Sequence, residues 1–526
     1  MEAHAATRTG HAPHWVWAWS SILIALSCLP YLVAWAATPV GHQFTGLLVN
    51  PLDGHSYLAK MRQGWEGAWV FQLRYTPEPH AGAAIFLFYL ALGHVARWTG
   101  LPLIAVYHLA RVSAGLALFA ALHTFVGRLT EERSERRRLV LLASSSAGLG
   151  WLGVMVGLFP IDLWVPEAFA FLSLLANPHF PLALGLQLFL LQSVLWPKEG
   201  RRGWLLPGLA GTALAIVAPF ALPVLYVVFA AHLLWPLWSR HARDSAQEVC
   251  TPLRGAWKAA LSATLASLPW LAYDLLVYTI HPALRAWAQQ NVTPTPAPAD
   301  LLLGFGLLTP LAAVGTWAAA RRRDRPALLL AVWSGVTLVG VYVPIALQRR
   351  LLIGLGVALA MLAGIGLRHL PRSVTRLAVA FSWLGIGFQL FVFTAGALSA
   401  AQGQEPAAAL YISADEAAAM QWLSTHGGDA VVLAAPRTGN VLPGQAGTRS
   451  FYGHPFETID ATTKAAYAEA FFTGEMSDAT WQMLRERYAI RFVFVGPQER
   501  RLGARRLPDG LVPVFQQGDV TIYRVP

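Results

Sequence analysis

The chain has 526 residues, 55% of them hydrophobic and only 13% charged, with 21 Trp, 25 Phe and a mean hydropathy of +0.46. That composition excludes a soluble globular protein and describes a polytopic membrane protein. The net charge of +11 does not mark a nucleic-acid partner: 20 of the 39 Lys and Arg fall in short loops between apolar runs, against 8 in the remaining parts of the membrane region, the bias that membrane orientation produces. Only 4 of the 39 are Lys, which with the Ala-rich composition suggests a GC-rich bacterial genome. Cys28 and Cys250 fall in an apolar run and in a loop assigned to the cytoplasm, so they supply no disulfide framework and no Cys-based metal site.

In chain order, the first apolar stretch, 15–37, is long enough to span and reads as an uncleaved anchor, although Ala34-Trp35-Ala36 loosely matches a signal-peptidase site. Arg8 starts inside, and the clusters Arg128 to Arg138, Lys198 to Arg202, Arg240 to Lys258, Arg321 to Arg325 and Arg368 to Arg376 are read as cytoplasmic, so an even number of crossings separates each neighbouring pair. Three apolar stretches lie between the first two. The shortest, 83–98, carries His94 and Arg97 and is expected to lie on the outer interface.

Spans are then expected near 15–37, 103–127, 139–158, 179–196, 204–218, 219–238, 258–279, 300–319, 327–347, 351–368 and 376–396. That gives about 11 transmembrane helices, with the N-terminus inside and the C-terminus outside. The division within 204–238 rests on Pro219 and Pro223; one continuous kinked helix there would invert everything downstream. Residues 293–298 form an extended Pro-rich outer loop. The expected organisation is a transmembrane domain over 1–400, with an outer first loop 38–102, and a small extracytoplasmic α/β domain over 410–526. Helices near 415–425, 461–472 and 478–488 alternate there with strands near 430–434, 491–495, 512–515 and 520–524.

The chain has few ionisable groups, and several gather on the outer side. Asp53, Glu78 and His80 lie in the first loop; Arg111, Glu167, His179, Arg349 and Arg350 lie at or near outer helix ends, and no acid or Arg falls at mid-membrane. Charges in lipid cost several kcal/mol unless paired or solvated, so this set implies a water-accessible outer cavity, whereas a transporter places its site near the midplane. Asp53, after Asn50-Pro51, either caps the helix expected from Ser56 or acts as a base. Arg349 and Arg350 either snorkel as interfacial anchors or hold a phosphate. His179, in Asn177-Pro178-His179-Phe180-Pro181, either secures a helix end or meets substrate. Trp65, Trp69, Phe71 and Tyr75 read as an interfacial belt, and sugars stack on such rings. In the terminal domain, 453–458 and Thr438-Gly439-Asn440 read as shaped loops without an identifiable reaction, and no GxGxxG, P-loop or metalloprotease motif is present.

An acid just after the first span (Asp53), a Tyr four residues on (Tyr57), the aromatic and Pro-containing stretch Tyr75 to His80, an interfacial helix, and a second span beginning Val106 to Arg111 together resemble the GT-C superfamily of membrane glycosyltransferases. The motifs cover roughly residues 15–200 and the architecture covers the remainder. Two features depart from the pattern: Gly54, not a second acid, follows Asp53, and Asp162, Glu167 and His179 all stand as candidates for the second acid.

The resemblance implies a polyprenyl-phosphate sugar donor, a lipid or glycan acceptor and inverting transfer at the outer face of a bacterial inner membrane. Asp53 is then the catalytic base. Tyr57, Glu78, His80, Arg111, Glu167, His179, Arg349 and Arg350 are the substrate-binding candidates, with the arginines on the departing lipid phosphate. A divalent cation, Mg2+ or Mn2+, with Asp53 as a ligand, is a further candidate. A flippase of lipid-linked saccharides and a non-catalytic envelope-assembly scaffold are the competing function classes.

Overall fold

The computed structural model describes residues 14–238, 246–403, 409–504 and 507–526. Arg8, Arg240, Arg243 and the side chain of Cys250, all used above, lie outside the described residues.

Every expected span holds an α-helix, although 139–158 is interrupted at 146–149, 300–319 breaks at Gly306 and the helix of 327–347 stops at Gly340. The helices are His14–Ala36, Leu103–Leu129, Arg133–Ser145 continued by Gly150–Met155, His179–Leu195, Arg202–Val217, Leu222–Trp238, Ala246–Ile280, Pro298–Phe305 with Leu308–Arg322, Arg325–Gly340, Leu355–Gly366 and Arg372–Ala401. Among the described residues seven are long and apolar enough to cross a membrane alone, or eight counting Pro298–Phe305 with Leu308–Arg322, which bend by 72°. That bend falls at Gly306, whose φ of +46° and contact with Leu149 leave no room for a side chain. Three further helices, His179–Leu195, Arg202–Val217 and Arg325–Gly340, are apolar but shorter. Leu355–Gly366 is buried at every position and forms the centre of the bundle.

The basic loops gather at one end. Arg368 pairs with Glu135 at 3.0 Å and Glu132 at 3.3 Å, Arg138 donates to the Gly364 carbonyl at 2.9 Å, and Arg128 to the Trp196 carbonyl at 3.1 Å. The break inside 204–238 is real: Ala218 leaves the helical conformation and Pro219–Ala221 forms a single 3-10 turn before the next helix.

At the other end lies the first loop. It holds the helix Pro51–Trp65 and the helix Leu87–Thr99, whose 13 residues extend about 20 Å, too short to cross a hydrocarbon core of about 30 Å. The two helices pack backbone to backbone through Gly64 and Gly93; a Cβ at Gly93 would overlap the Met61 carbonyl oxygen.

The terminal domain closes over this loop. Strand β1 (His42–Phe44), just after the first span, pairs antiparallel with β2 (Tyr411–Ser413), just after the last. The other strands, β3 (Val431–Leu433), β4 (Arg449–Ser450), β5 (Ile490–Val495), β6 (Val512–Gln517) and β7 (Val520–Arg524), form one sheet in the order β4-β3-β5-β7-β6, with β4, β3 and β5 parallel and the β7 and β6 pairings antiparallel. Both faces of the sheet are covered. Val432, Phe494 and Ile522 pack with the helix Ala414–His426, while Val431, Leu433 and Val493 pack with Phe471, Phe472 and Trp481. The segment around Thr438-Gly439-Asn440, read above as a loop, is instead the helix Pro436–Ala446, begun by Pro436, whose fixed φ suits a first helical turn. It packs on Pro51–Trp65, with Gly444 against Leu58 and Ala59.

The β1–β2 pairing and this helix contact put the first loop and the terminal domain on one side of the bundle. An even number of crossings must therefore separate residue 44 from residue 411, as the split at Ala218 provides. With the basic loops at the opposite end, alkaline phosphatase fused after Gln402 is expected to be active. An inactive phosphatase there, together with an active cytoplasmic reporter, would overturn the orientation.

Candidate active site

The helix Pro51–Trp65 begins earlier than its sequence suggests. Asn50, at its N-cap with φ 49°, lets Pro51 start the first turn, so Asp53 lies inside that turn and is not the cap. Its carboxylate leaves the backbone free: Oδ2 accepts from Asn50 Nδ2 at 2.6 Å and Oδ1 from His454 Nε2 at 3.2 Å. Nδ1 of His454 accepts the backbone N–H groups of Phe456 and Glu457 at 3.2 and 3.3 Å, which places the ring proton on Nε2, facing Asp53. Burial would raise the Asp53 pKa, but the hydrogen bond from His454, then the Arg350 charge and the Asn50 hydrogen bond, outweigh it and hold the carboxyl well below the usual range. Asp53 is therefore a carboxylate throughout the physiological range.

Further along the same face of the helix, one and two turns beyond Asp53, come Ser56, Tyr57 and Lys60. The Lys60 side chain is 1% exposed, and its ammonium pairs with Glu457 at 2.7 Å and bonds Ser56, which in turn donates to Glu457. Burial would raise the Glu457 pKa; the Lys60 charge and the hydrogen bonds lower it instead and keep the Glu457 carboxylate ionised. Tyr57 stacks on Tyr89 with ring centroids 4.3 Å apart, and the Tyr89 hydroxyl meets His179 Nδ1 at 2.7 Å.

Across from these groups, Arg349 and Arg350 occupy a single 3-10 turn. Both reach one buried carboxylate, Glu167 Oε1, at 3.7 and 3.4 Å. Arg349 also lies over the Trp164 ring, 4.9 Å from its centroid, and its Nε makes no hydrogen bond. Two guanidinium groups share one carboxylate, so Glu167 compensates only one of them.

Asp53, Tyr57, His179, Arg349 and Arg350 all line one cavity of about 520 Å³, together with Ser56, Lys60, His454 and Glu457. Of the other expected residues, Glu167 acts on the cavity wall through the two arginines, and three lie elsewhere. Glu78 pairs with Lys464 at 2.5 Å and fastens the terminal domain to the first loop. His80 accepts the Leu73 N–H at 2.9 Å and donates from Nδ1 to the Glu78 carbonyl at 2.8 Å, bracing the loop; burial lowers its pKa. Arg111 is buried against the carbonyls of Leu174 and Ser27 and the Tyr31 ring, 4.7 Å from its centroid.

His454, Glu457 and Lys60 escaped sequence reasoning. For Lys60 a signal existed, since positions 53, 56, 57 and 60 share one helix face and Lys is rare in this chain. For the terminal-domain pair there was none, because their meeting with Asp53 and Lys60 is tertiary. A divalent-cation site does not fit these residues. Both Asp53 oxygens meet hydrogen-bond donors, Glu457 is neutralised by Lys60, and among the described residues no three of His, Cys, Asp or Glu gather at ligand distances, whereas Mg2+ needs an octahedron of oxygens.

No protein-family model matches the chain, and no curated protein sequence matches it either. Solved structures do. The arabinofuranosyltransferase AftD from Mycobacteria is 17% identical with a TM-score of 0.55, over 98% of this chain and 40% of that one. ArnT from Cupriavidus metallidurans, solved bound to undecaprenyl phosphate, is 14% identical with a TM-score of 0.53, over 96% of this chain and 98% of its own. The Archaeoglobus fulgidus oligosaccharyltransferase in its apo form is 13% identical with a TM-score of 0.51, over 92% and 70%. All three are GT-C membrane glycosyltransferases. The chain is an integral membrane protein with the GT-C fold.

Proposed function

We propose that this protein is a membrane glycosyltransferase that moves a sugar from a polyprenyl-phosphate donor to a lipid or glycan acceptor at the outer face of a bacterial inner membrane. The observation that carries the reading is the shared cavity: a fixed carboxylate, Asp53, and two guanidinium groups sharing one carboxylate line the same space of about 520 Å³. Structures similar in fold support it, among them ArnT, which was solved with undecaprenyl phosphate.

In this reading Asp53 accepts the proton of the acceptor hydroxyl while that oxygen bonds to the anomeric carbon. The bond from that carbon to the phosphate oxygen breaks on the opposite face, with inversion. Polyprenyl phosphate leaves with its charge against Arg349 and Arg350, where preformed donors cost no reorganisation. His454 holds Asp53 ionised and oriented. Purified protein in nanodiscs, given radiolabelled undecaprenyl-phosphate sugars and a glycan acceptor extract, should form labelled product. Movement of label across the bilayer without transfer would assign a flippase, and neither event a scaffold.

Arg350→Gln separates a phosphate site from interfacial anchoring. Glu167 keeps Arg349 as its partner, so no buried charge is orphaned, but the second guanidinium is gone. Undecaprenyl phosphate is expected to bind about 10-fold to 100-fold more weakly, since a hydrogen bond to a charged group contributes about 1.5–3 kcal/mol. Unchanged affinity in the folded variant would return the two arginines to anchoring.

A further inference from the structure

The same cavity has a second group of lining residues, one ring away from Lys60: Phe86 lies between that ammonium and Trp287. On the helix Ala246–Ile280, Trp270, Asp274 and Tyr278 follow one another at i, i+4 and i+8, one stripe of the helix, and all three line the cavity wall. Trp287, on the following helix Pro282–Gln290, lines it beside them, its ring centroid 5.6 Å from that of Tyr278 and 5.9 Å from that of Phe86. Among the described residues Asp274 makes no ion pair and no hydrogen bond; Arg349 and Arg350 lie against Glu167, and Lys60 pairs with Glu457. Trp287 is 6% exposed, yet its Nε1–H is buried with no acceptor. A carboxylate and an indole N–H both without partners, in a wall of rings and aliphatic side chains broken by Asn291 and Thr293, is a costly arrangement unless a polar ligand meets them.

A polyprenyl chain does not fit here. It would present only C–H groups to both polar atoms and leave each desolvated. A sugar ring satisfies every surface at once: its hydroxyls donate to the Asp274 carboxylate, its oxygens accept from Trp287 Nε1, and its C–H face lies against the Trp270 and Tyr278 rings. We infer that Asp274 and Trp287, flanked by Trp270 and Tyr278, form a saccharide subsite that selects the sugar handled at Asp53. The inference rests on the glycosyltransferase reading and adds to it the part of the wall that reads the sugar. Two sources share this chemistry, the sugar of the lipid-linked donor and a glycan acceptor.

The test uses full-length protein in nanodiscs with two kinds of probe: undecaprenyl phosphate alone, and undecaprenyl phosphate carrying glucose, galactose, mannose or arabinose. Asp274→Asn keeps the side-chain shape, and Trp287→Phe keeps the ring while deleting the N–H. Both variants are expected to bind undecaprenyl phosphate like the wild type. They should bind the preferred glycosylated lipid about 10-fold more weakly, the loss that one hydrogen bond to a charged or buried group predicts. If donor binding is unchanged and the KM for the saccharide acceptor rises by that factor instead, the subsite stands and the acceptor is its source. Wild-type values for both donor and acceptor in both variants overturn the subsite while leaving the phosphate site intact. A wild-type protein that binds neither undecaprenyl phosphate nor its glycosides overturns the glycosyltransferase reading and the subsite with it.

Discussion

Asp53→Asn is expected to reduce transfer by roughly 100-fold or more while leaving the melting temperature and the affinity for undecaprenyl phosphate near those of the wild type. A positioned base contributes about two to four orders of magnitude, and the amide cannot accept the proton. The substitution keeps the side-chain shape, and its carbonyl oxygen can still accept from His454 Nε2 or from Asn50, so the local geometry survives. Helix capping is not at issue, because Asp53 bonds no backbone N–H of its helix. The sign of the pH dependence follows from the lowered pKa: the carboxylate persists as pH falls through the weakly acidic range, so an acid limb of the pH–rate profile there belongs to another group. Near wild-type transfer by the Asn variant would make Asp53 structural.

Glu457→Ala is expected to destabilise the docking of the terminal domain by about 3–5 kcal/mol, the usual cost of removing one partner from a buried ion pair. The penalty arises because the Lys60 ammonium would keep only Ser56 as a polar partner, among the rings of Phe86, Phe71 and Tyr57, whose centroids lie 4.6, 5.3 and 5.5 Å away. Adding Lys60→Met should recover most of the loss, since a flexible apolar side chain fills the same space without a charge. Unfolding in detergent, followed by near-ultraviolet circular dichroism and by limited proteolysis at the junction around residue 403, would read both effects. Equal stability of the single and double variants would show that the ion pair does not hold the domain down.

Much of the fold could be read from the sequence because membrane orientation is written locally. Apolar runs and Arg clusters sufficed to put a helix in each of the eleven expected spans, seven or eight of them long and apolar enough to cross a membrane among the described residues, and to demote 83–98 to a short surface helix, since both signals depend only on residues near one another. The lengths were less legible. The segment expected as one span at 300–319 is broken at Gly306, where φ is +46° and Leu149 closes in, and 327–347 ends as a helix at Gly340, beside Leu351; hydropathy records neither contact.

The site was legible in part for the same reason. Asp53, Arg349 and Arg350 stood out as charges on the outer side, and the structure brings them to one wall-lined space together with Tyr57 and His179. Glu78 and His80 looked equally eligible in sequence, being polar residues of the same loop, but their partners are Lys464 and the loop backbone. Arg111 likewise satisfies carbonyls inside the bundle. Residues 453–458 carried no motif. Their importance comes from the docking of a domain nearly 400 residues away in sequence from the helix it meets, and no local pattern records that.

The central claim is that Asp53 and the Arg349–Arg350 turn face a common lipid phosphate. An electron cryomicroscopy structure of the nanodisc-embedded protein with undecaprenyl phosphate tests it most directly. The phosphate is predicted within hydrogen-bonding distance of Arg349 or Arg350, with the Asp53 carboxylate facing it across the same cavity and the isoprenoid chain directed away from Asp274. Phosphate density seated among the basic loops at the opposite end of the bundle, around Arg138 and Arg368, would contradict the account.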